Sequence, residues 1–329
     1  MVTLRASATW RETPHFFGFL AGGLIAPTAI LSSWLGRDGS ARGAGKDAMA
    51  RDTKAGDGRS DEELRTHYLV ESELAARLRN ATREERRHLY RTVYDELFKR
   101  VPLHPNLTRT TSTEAIQAEA AGQLRLLRRF LSPEQTFLEL GAGDCALSFA
   151  VAPLVKKVYA VDVSSAISPN SVPPPNFQLI LFDGFHIELP ANSIDLAYSN
   201  QVLEHIHPDD ALEQLQNVHR VLAPGGRYVC ITPNRLDGPH DISRHFTAEA
   251  TGFHLREYTF GEASGLFRRA GFSRTSAFCG VKGRFFRVPV PLLKSCETLL
   301  DALPRPLRKV LTNNLAVRLF MPIRLVATK

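Results

Sequence analysis

A strand that runs into a glycine turn constrains this chain more than any other segment. The run Phe137-Leu-Glu-Leu-Gly-Ala-Gly-Asp144 begins as an apolar strand and breaks at Gly141 and Gly143. In open α/β sheets, a glycine turn after a strand leads into a helix and contacts a ligand, usually a pyrophosphate. We therefore expect an α/β fold in which this turn forms part of a ligand site.

An acidic residue beside the turn narrows the identity of that ligand. Glu139 lies two residues before Gly141, where its carboxylate would repel a pyrophosphate and attract a positively charged group. S-adenosylmethionine (SAM) carries an ammonium and a sulfonium in the corresponding place and has no phosphate. The turn therefore predicts SAM as the cofactor, with Gly141 and Gly143 allowing the backbone to approach its methionine part.

The cysteines indicate the redox environment of the protein. The chain of 329 residues has four cysteines, which are far apart and form no Cys-x-x-Cys pair. This pattern indicates neither a disulfide framework nor a zinc knuckle and favours a reducing compartment. We expect a cytoplasmic protein.

Residues 1–60 differ from the rest of the chain. The apolar stretch 16–35 is long enough to span a bilayer, although glycines, a proline and serines interrupt it. Three interpretations stay open: a membrane anchor with the chain on the cytoplasmic side, a signal peptide, or a start codon placed too early with Met49 as the true start. We favour the last. Residues 37–60 have the composition of a linker.

Residues 61–131 are helical by pattern, and we expect them to form a cap. Thr82-Arg-Glu-Glu85 is a capping box that opens a helix with apolar residues at helical spacing. A second capping sequence lies at 111–114. The helices are expected either to cover the ligand site of the next domain or to pack against a sheet edge.

Residues 132–280 alternate between strands and helices, which predicts a parallel sheet covered on both faces. The predicted strands are 136–140, 157–163, 177–181, 194–199 and 226–232, and later elements are a helix at 260–270 and strands at 274–279 and 323–328. A helix is predicted to start at Pro208, because proline suits the first helical turn.

Residues 281–329 carry the net charge of the chain. They hold ten basic and two acidic residues, giving +8, against +7 for the whole chain. Apolar residues are mixed with basic ones in 281–320, which predicts contact with a membrane surface, as the stretch 16–35 also does in the anchor interpretation. A solvated surface is the alternative. No basic stripe is interleaved with aromatics, so no nucleic-acid partner is expected.

Four motifs in consistent order resemble the class I SAM-dependent methyltransferases, in particular those related to the ubiquinone and menaquinone biosynthesis methyltransferases. They are Glu139-Leu-Gly-Ala-Gly-Asp144, Val158-Tyr-Ala-Val-Asp162, Phe182-Asp-Gly184 with Leu189-Pro190, and Ile194 to His205 with Arg220 to Gly226. The resemblance is strong over about a third of the chain and weaker to residue 280. It implies a three-layer, Rossmann-like fold with a seven-stranded, mostly parallel sheet whose last strand is antiparallel.

The resemblance also implies roles for single residues. Glu139 lies near the SAM ammonium, and Asp162 ends its strand where it can accept hydrogen bonds from both ribose hydroxyls. Asp183 accepts from the adenine amino group, and Gly184 allows close backbone approach. Asn200, with its neighbours at the end of the fourth strand, lines the methionine end.

Methyl transfer to a hydroxyl needs a base near the methyl group. His205 follows the fourth strand and is the first candidate, and His240, in the loop after the fifth strand, is the second. The fourth strand ends in Ser-Asn-Gln-Val, not Asn/Asp-Pro-Pro-Tyr/Phe, which argues against methylation of planar amide or base nitrogens. We expect a small-molecule or lipid-linked acceptor, with O-methylation favoured.

Other functions stay open at this point. With Ala146, the turn also fits Gly-x-Gly-x-x-Ala, a weak dinucleotide fingerprint that would suit an NAD(P)-dependent oxidoreductase. A non-catalytic SAM-binding protein is the other alternative. A metal set of His205, His207, Asp209 and His240 has no diagnostic spacing, and no metal is expected.

Overall fold

The computed structural model describes residues 58–108, 113–163, 172–281 and 283–329. They belong to the unit Asp52–Lys329. The apolar stretch 16–35, nearly all of the linker 37–60 and the start of the second capping sequence, 111–112, lie outside the described residues.

Eight strands form one sheet in the described part of the chain. They are β1 Thr136–Leu140, β2 Lys157–Asp162, β3 Phe177–Leu181, β4 Ile194–Asn200, β5 Leu222–Thr232, β6 Arg274–Val281, β7 Arg284–Val288 and β8 Ile323–Thr328. Their order is β3-β2-β1-β4-β5-β8-β6-β7. The pairs among β1 to β5 are parallel, and β8 runs antiparallel to both β5 and β6. The predicted mostly parallel sheet with an antiparallel final strand is confirmed.

The strand count of seven was wrong, because β7 lies in the segment 281–320, for which no strand was predicted. It pairs antiparallel with β6, and Val281 lies opposite Arg284 across a tight hairpin. Gly283 adopts a φ of +75°, a conformation that glycine reaches without steric cost. The strand reads Arg-Phe-Phe-Arg-Val, with charges at its first and fourth positions, which fall on opposite faces, so its alternation is weak.

The helices surround the sheet and enclose the core. They are α1 Asp61–Asn80, α2 Arg83–Arg100, α3 Pro105–Thr108, α4 Thr113–Leu127, α5 Ala146–Val151, α6 Pro208–Val221, α7 Phe260–Arg269, α8 Val290–Asp301, α9 Arg305–Asn313 and α10 Leu315–Arg318. The predicted capping box is confirmed at Thr82 and Glu85, and α6 starts at Pro208 as predicted. Apolar residues of α6 and α7 bury one face of the sheet, and those of α4 and α5 bury the other. The fold therefore has three layers.

Helices α1 and α2 form a separate apolar cluster beside the sheet. Leu74 and Val93, from these helices, pack with Phe185, Phe253 and Leu255 from loops that follow β3 and β5. The helices therefore rest on the edge where the parallel strands end. Helix α4, which lies in the same predicted segment, packs on the sheet instead.

A buried ion pair joins this helix pair to the core. The guanidinium of Arg86 donates two hydrogen bonds of 2.6 Å to the two carboxylate oxygens of Asp210 on α6. The Tyr90 hydroxyl donates a third hydrogen bond to the same carboxylate at 3.0 Å. The side chains of Arg86 and Asp210 are 6% and 4% exposed.

No helix among the described ranges is both long enough and apolar enough to cross a bilayer.

Candidate active site

The glycine turn after β1 needs glycine for two separate reasons. Gly141 and Gly143 adopt φ angles of +68° and +51°, in the region that residues with a Cβ avoid. A Cβ on Gly141 would also lie 2.5 Å from Cγ2 of Val202, whereas a Cβ on Gly143 would meet no atom within 4 Å. Gly141 is therefore restricted by both conformation and space, and Gly143 by conformation alone.

A cavity of about 260 Å³ lies beside this turn. It brings together residues from four of the sequence motifs and from α2. Its lining includes Tyr90, Tyr94, Phe98, Gly141, Gly143, Asp162, Val163, Phe182, Gly184, Gln201, Val202 and His205. The predicted residues Gly141, Gly143, Asp162, Gly184 and His205 thus share one cavity, which lies outside the ends of the parallel strands.

Asp162 lies at the end of β2 and lines the cavity. Its Oδ2 accepts a hydrogen bond of 2.9 Å from the backbone N–H of Gly143. The carboxylate therefore holds the glycine turn in position and faces the space in which a ribose is expected. The ribose role itself stays a prediction.

Asp183 shapes the turn after β3. Its Oδ1 accepts hydrogen bonds of 2.9 Å from the backbone N–H groups of both Phe185 and His186. Burial raises the pKa of Asp183, but these two N–H groups and the nearby Arg87 outweigh it and hold the pKa below its usual range. The carboxylate is absent from the described lining of the cavity, whereas Gly184 belongs to it. The adenine role of Asp183 stays a prediction.

Glu139 does not present an anion to the cavity. It is buried within β1, and its Oε2 accepts a hydrogen bond of 2.6 Å from Ser148 of α5. Burial outweighs this hydrogen bond and raises the pKa of Glu139 to about 8, so the group is largely protonated at neutral pH. The electrostatic argument from the sequence is therefore corrected: the side chain points towards α5, behind the turn.

The end of β4 contributes a residue that the sequence argument missed. Asn200 pairs with Ile231 of β5 and is absent from the described lining of the cavity. The next residue, Gln201, adopts a φ of +57° and lines the cavity. The turn after the strand, and not the strand end itself, therefore reaches the site.

A second cavity of about 270 Å³ adjoins the first. It is rich in histidines and charged residues that come from α1, from the start of α3 and from the loop after β5. Its lining includes Arg59, His67, Glu71, Tyr94, His104, His205, His240, Asp241, Arg244, Phe253 and His254. Tyr94 and His205 line both cavities, so the two spaces meet at these side chains.

His205 keeps one ring nitrogen available. Its Nδ1 lies 3.0 Å from the carbonyl oxygen of Phe253, which can only accept, so Nδ1 carries the proton and donates. Nε2 then has a lone pair. Burial, with a smaller contribution from His254, lowers the pKa of His205 to about 3, so the imidazole is a weak proton acceptor.

His240 is held as a cation, and the structure contradicts its predicted role as a base. Its Nδ1 lies 3.3 Å from Oε2 of Glu257, and its Nε2 lies 3.4 Å from Oδ1 of Asp237. Burial lowers the pKa of His240, but the two carboxylates outweigh it and raise the pKa to about 9. The imidazolium has no lone pair with which to take a proton at neutral pH.

The metal set considered from the sequence is not brought together. His207 accepts a hydrogen bond from the backbone N–H of Asp209 and caps α6. Among the described residues, two groups have ligand atoms within 4.8 Å of one another, and neither is that set. They are His67, Glu71 and His104, and Glu204, His205 and His254. His67 and Glu71 are four residues apart on α1, a spacing that could have indicated a shared face.

Comparisons with known proteins identify the domain. Residues 138–230 match the family model described as "Methyltransferase domain". The chain contains a class I SAM-dependent methyltransferase domain, and SAM is the cofactor of that class.

Two curated relatives match part of the chain. A "Probable S-adenosylmethionine-dependent methyltransferase" from Mycolicibacterium smegmatis is 28% identical over 136 residues, which cover 41% of this chain and 51% of the relative. "EEF1A lysine methyltransferase 4" from Mus musculus is 28% identical over 155 residues, which cover 41% of this chain and 59% of the relative. The chain thus spans between half and three fifths of the length of these relatives.

Solved structures give matches of low identity. The 1,6-didemethyltoxoflavin-N1-methyltransferase of Burkholderia thailandensis has 18% identity and a TM-score of 0.43, and the match covers 76% of this chain and 91% of that one.

Proposed function

We propose that this protein transfers a methyl group from SAM to an oxygen atom of a small-molecule or lipid-linked acceptor. One observation carries the proposal: the cavity of the methyltransferase motifs meets a second, polar cavity at Tyr94 and His205. A cofactor in the first cavity and an acceptor in the second would face each other at this junction.

The first cavity fits SAM. Gly141 and Gly184 line it with bare backbone, and neither position has room for a side chain, because a Cβ would lie 2.5 Å from Val202 at the first position and 3.1 Å from Tyr90 at the second. The aromatic wall of Tyr90, Tyr94 and Phe98 suits a sulfonium, since the faces of aromatic rings attract cations. SAM supplies an activated methyl group when bound, so the main task of the protein is alignment.

The second cavity favours an acceptor with oxygen atoms or negative charge. Its acidic residues are engaged within the protein: Glu71 accepts from the backbone N–H of Phe253, and Asp241 accepts from that of Gly252. His240 is likewise paired with Glu257 and Asp237, whereas Arg244 lines the cavity and donates to the imidazole of His245, with no carboxylate as its partner among the hydrogen bonds of the described residues. The charge offered to an acceptor is therefore positive.

Titration calorimetry with SAM, S-adenosylhomocysteine and NAD, followed by labelled-methyl transfer in cell extract, tests the proposal. We expect both adenosyl compounds to bind, NAD not to bind, and label to enter small molecules or lipids. Binding of SAM without turnover over a broad acceptor panel would favour a non-catalytic SAM-binding protein. Binding of NAD without SAM would favour the oxidoreductase.

A protein lysine side chain is the second candidate acceptor. The relative from Mus musculus, whose name states lysine methylation, supports it. Label that enters the protein fraction of the extract, and not the small-molecule or lipid fraction, would favour this candidate over the first.

We also propose that the C-terminal helices contact the cytoplasmic surface of a membrane. Apolar side chains on α8, α9 and α10 are exposed, with Leu299 at 71%, Val310 at 69% and Leu315 at 75%. Arg305 and Arg318 lie on the same helices as Val310 and Leu315 and add positive charge, which would attract anionic headgroups.

Flotation of the full chain with anionic liposomes tests the membrane proposal. We expect the double variant Val310→Glu, Leu315→Glu to float less than the unmodified protein. Leu69→Glu, at an exposed apolar position of α1, is the matched control and should float normally. Equal recovery of all three proteins would remove the proposal.

A further inference from the structure

A group of three side chains at the junction of the two cavities has the composition of a metal site. One oxygen of Glu204 and one ring nitrogen each of His205 and His254 lie within 4.8 Å of one another. Glu204 is fully buried and His254 is 6% exposed. We propose that these three residues bind a divalent transition-metal ion, and that Zn²⁺ suits the donor set best.

The two imidazoles are oriented as metal ligands are. Nδ1 of His205 donates to the carbonyl oxygen of Phe253 at 3.0 Å, and Nδ1 of His254 is 2.7 Å from Oε1 of Glu257. Histidines that bind metals almost always donate their other ring N–H to a carbonyl or a carboxylate, which fixes the tautomer. Both Nε2 atoms are then the nitrogens left for an ion.

Glu204 supplies a second observation that points to a metal ion, independent of the histidines. Its Oε2 accepts a hydrogen bond of 2.8 Å from Thr232, but its Oε1 has no hydrogen-bond partner among the described residues. A buried carboxylate oxygen without a partner is costly, and buried charges are normally paired or bound to metals. A cation between Oε1 and the two imidazoles would satisfy this oxygen.

The neighbouring group of His67, Glu71 and His104 is a useful contrast. The guanidinium of Arg59 can only donate, and its Nη1 lies 2.7 Å from Nδ1 of His67. Nε2 of His67 therefore carries the proton and donates to Glu71 at 2.8 Å. Both ring nitrogens of His67 are used, so hydrogen bonds within the protein already satisfy this group.

The donor set restricts the choice of ion. Two imidazoles and one carboxylate, with open positions, suit Zn²⁺ or Fe²⁺ and not the oxygen-seeking Mg²⁺ or Ca²⁺. Ligand atoms around a tetrahedral Zn²⁺ lie roughly 3.3 Å apart, so binding would draw these side chains closer together than the 4.8 Å within which they lie. His205 lines both cavities, so the open positions would face the space between cofactor and acceptor.

Calorimetric titration of the metal-free full chain with Zn²⁺ tests the proposal. We expect one equivalent to bind, and both Glu204→Gln and His254→Gln to weaken binding by more than about 100-fold, which exceeds the loss when a residue that only orients a ligand is replaced. Glu257→Gln, which replaces the charged acceptor of His254 with a neutral amide oxygen, should weaken binding by about 10–100-fold. His67→Gln is the matched control and should bind normally. Absence of binding to the unmodified protein, or equal losses in His67→Gln and His254→Gln, would overturn the site.

X-ray absorption on the Zn²⁺-loaded unmodified protein gives a test that does not depend on the folding of any variant. We expect two imidazole nitrogens and at least one oxygen at about 2.0–2.1 Å. A sulfur in the ligand shell would place the ion at a cysteine such as the exposed Cys296, and a shell without imidazole would exclude both histidines. Either spectrum would refute the proposal.

Discussion

The two adjoining cavities differ in how the chain builds them. The first is formed mainly by short motifs at the ends of β1, β2, β3 and β4, and α2 adds one aromatic wall. The second collects residues from Arg59 to His254, and packing of α1 and α2 brings them together. The first site therefore depends mainly on backbone conformation at the strand ends, and the second depends on how the helix pair is docked.

The largest expected effect is a loss of stability when the helix pair α1 and α2 loses its ion pair with the core. Asp210→Asn leaves the buried guanidinium of Arg86 without its counter-charge, so we expect the free energy of unfolding to fall by about 3–5 kcal/mol. Glu213→Gln, which breaks the exposed pair with Arg83, is the matched control and should change little. Urea denaturation measures both. Similar small effects in the two variants would mean that the ion pair does not hold the helices.

The glycine turn gives the next largest effect. Gly141→Ala combines a left-handed φ with a clash against Val202, so we expect a loss of about 2–5 kcal/mol in the free energy of unfolding. Gly143→Ala has the φ penalty but open space, so its loss should be about 1–2 kcal/mol. Equal losses in the two variants, again by urea denaturation, would remove the steric role of Val202.

Asp162 should matter for ligand affinity. Asp162→Ala removes a charged hydrogen-bond acceptor from the first cavity, and we expect SAM binding to weaken by about 1–3 kcal/mol in titration calorimetry. The comparison variant Glu139→Gln should bind SAM normally, because the carboxyl that it replaces is buried behind the turn. An unchanged affinity in Asp162→Ala would show that this residue does not contact the cofactor.

The most gradual effect is a pH dependence of stability, which is spread over several pH units. Burial raises the folded pKa of Glu139 to about 8, above its unfolded value of 4.5, so the folded state binds more protons between these values. The stability contributed by the protonated form is therefore complete below pH 4.5 and falls as the pH rises towards 8, by up to about 1 kcal/mol per pH unit. Glu139→Gln should show a flatter profile than the unmodified protein from pH 5 to 8. Parallel profiles would exclude Glu139 as the source.

The same contrast explains what could be predicted from the sequence. β1 and β3 were predicted to the residue, because short apolar runs bounded by turn residues have a strong local signal. β7 was missed, because arginines at its first and fourth positions interrupt the alternation, and the strand forms through pairing with β6. Local pattern therefore identifies most of the sheet but not an edge strand that depends on its partner.

Predictions for the site residues divide in the same way, between what local motifs indicate and what distant partners decide. Gly141, Gly143, Asp162 and Gly184, which the motifs singled out, line one cavity, and their roles towards SAM stay predictions. The charge of Glu139 and the base role of His240 were misjudged, because protonation depends on burial and on partners distant in sequence, such as Ser148 and Glu257. Spacing along the chain carries no information about the burial of a side chain or about its partners distant in sequence.

A crystal structure of the full chain with S-adenosylhomocysteine tests the central claim most directly. The account predicts ribose hydroxyls within hydrogen-bonding distance of Asp162 and the sulfur atom facing the junction at Tyr94 and His205. A nucleoside bound with its sulfur directed away from that junction, or bound outside the cavity beside the glycine turn, would contradict it.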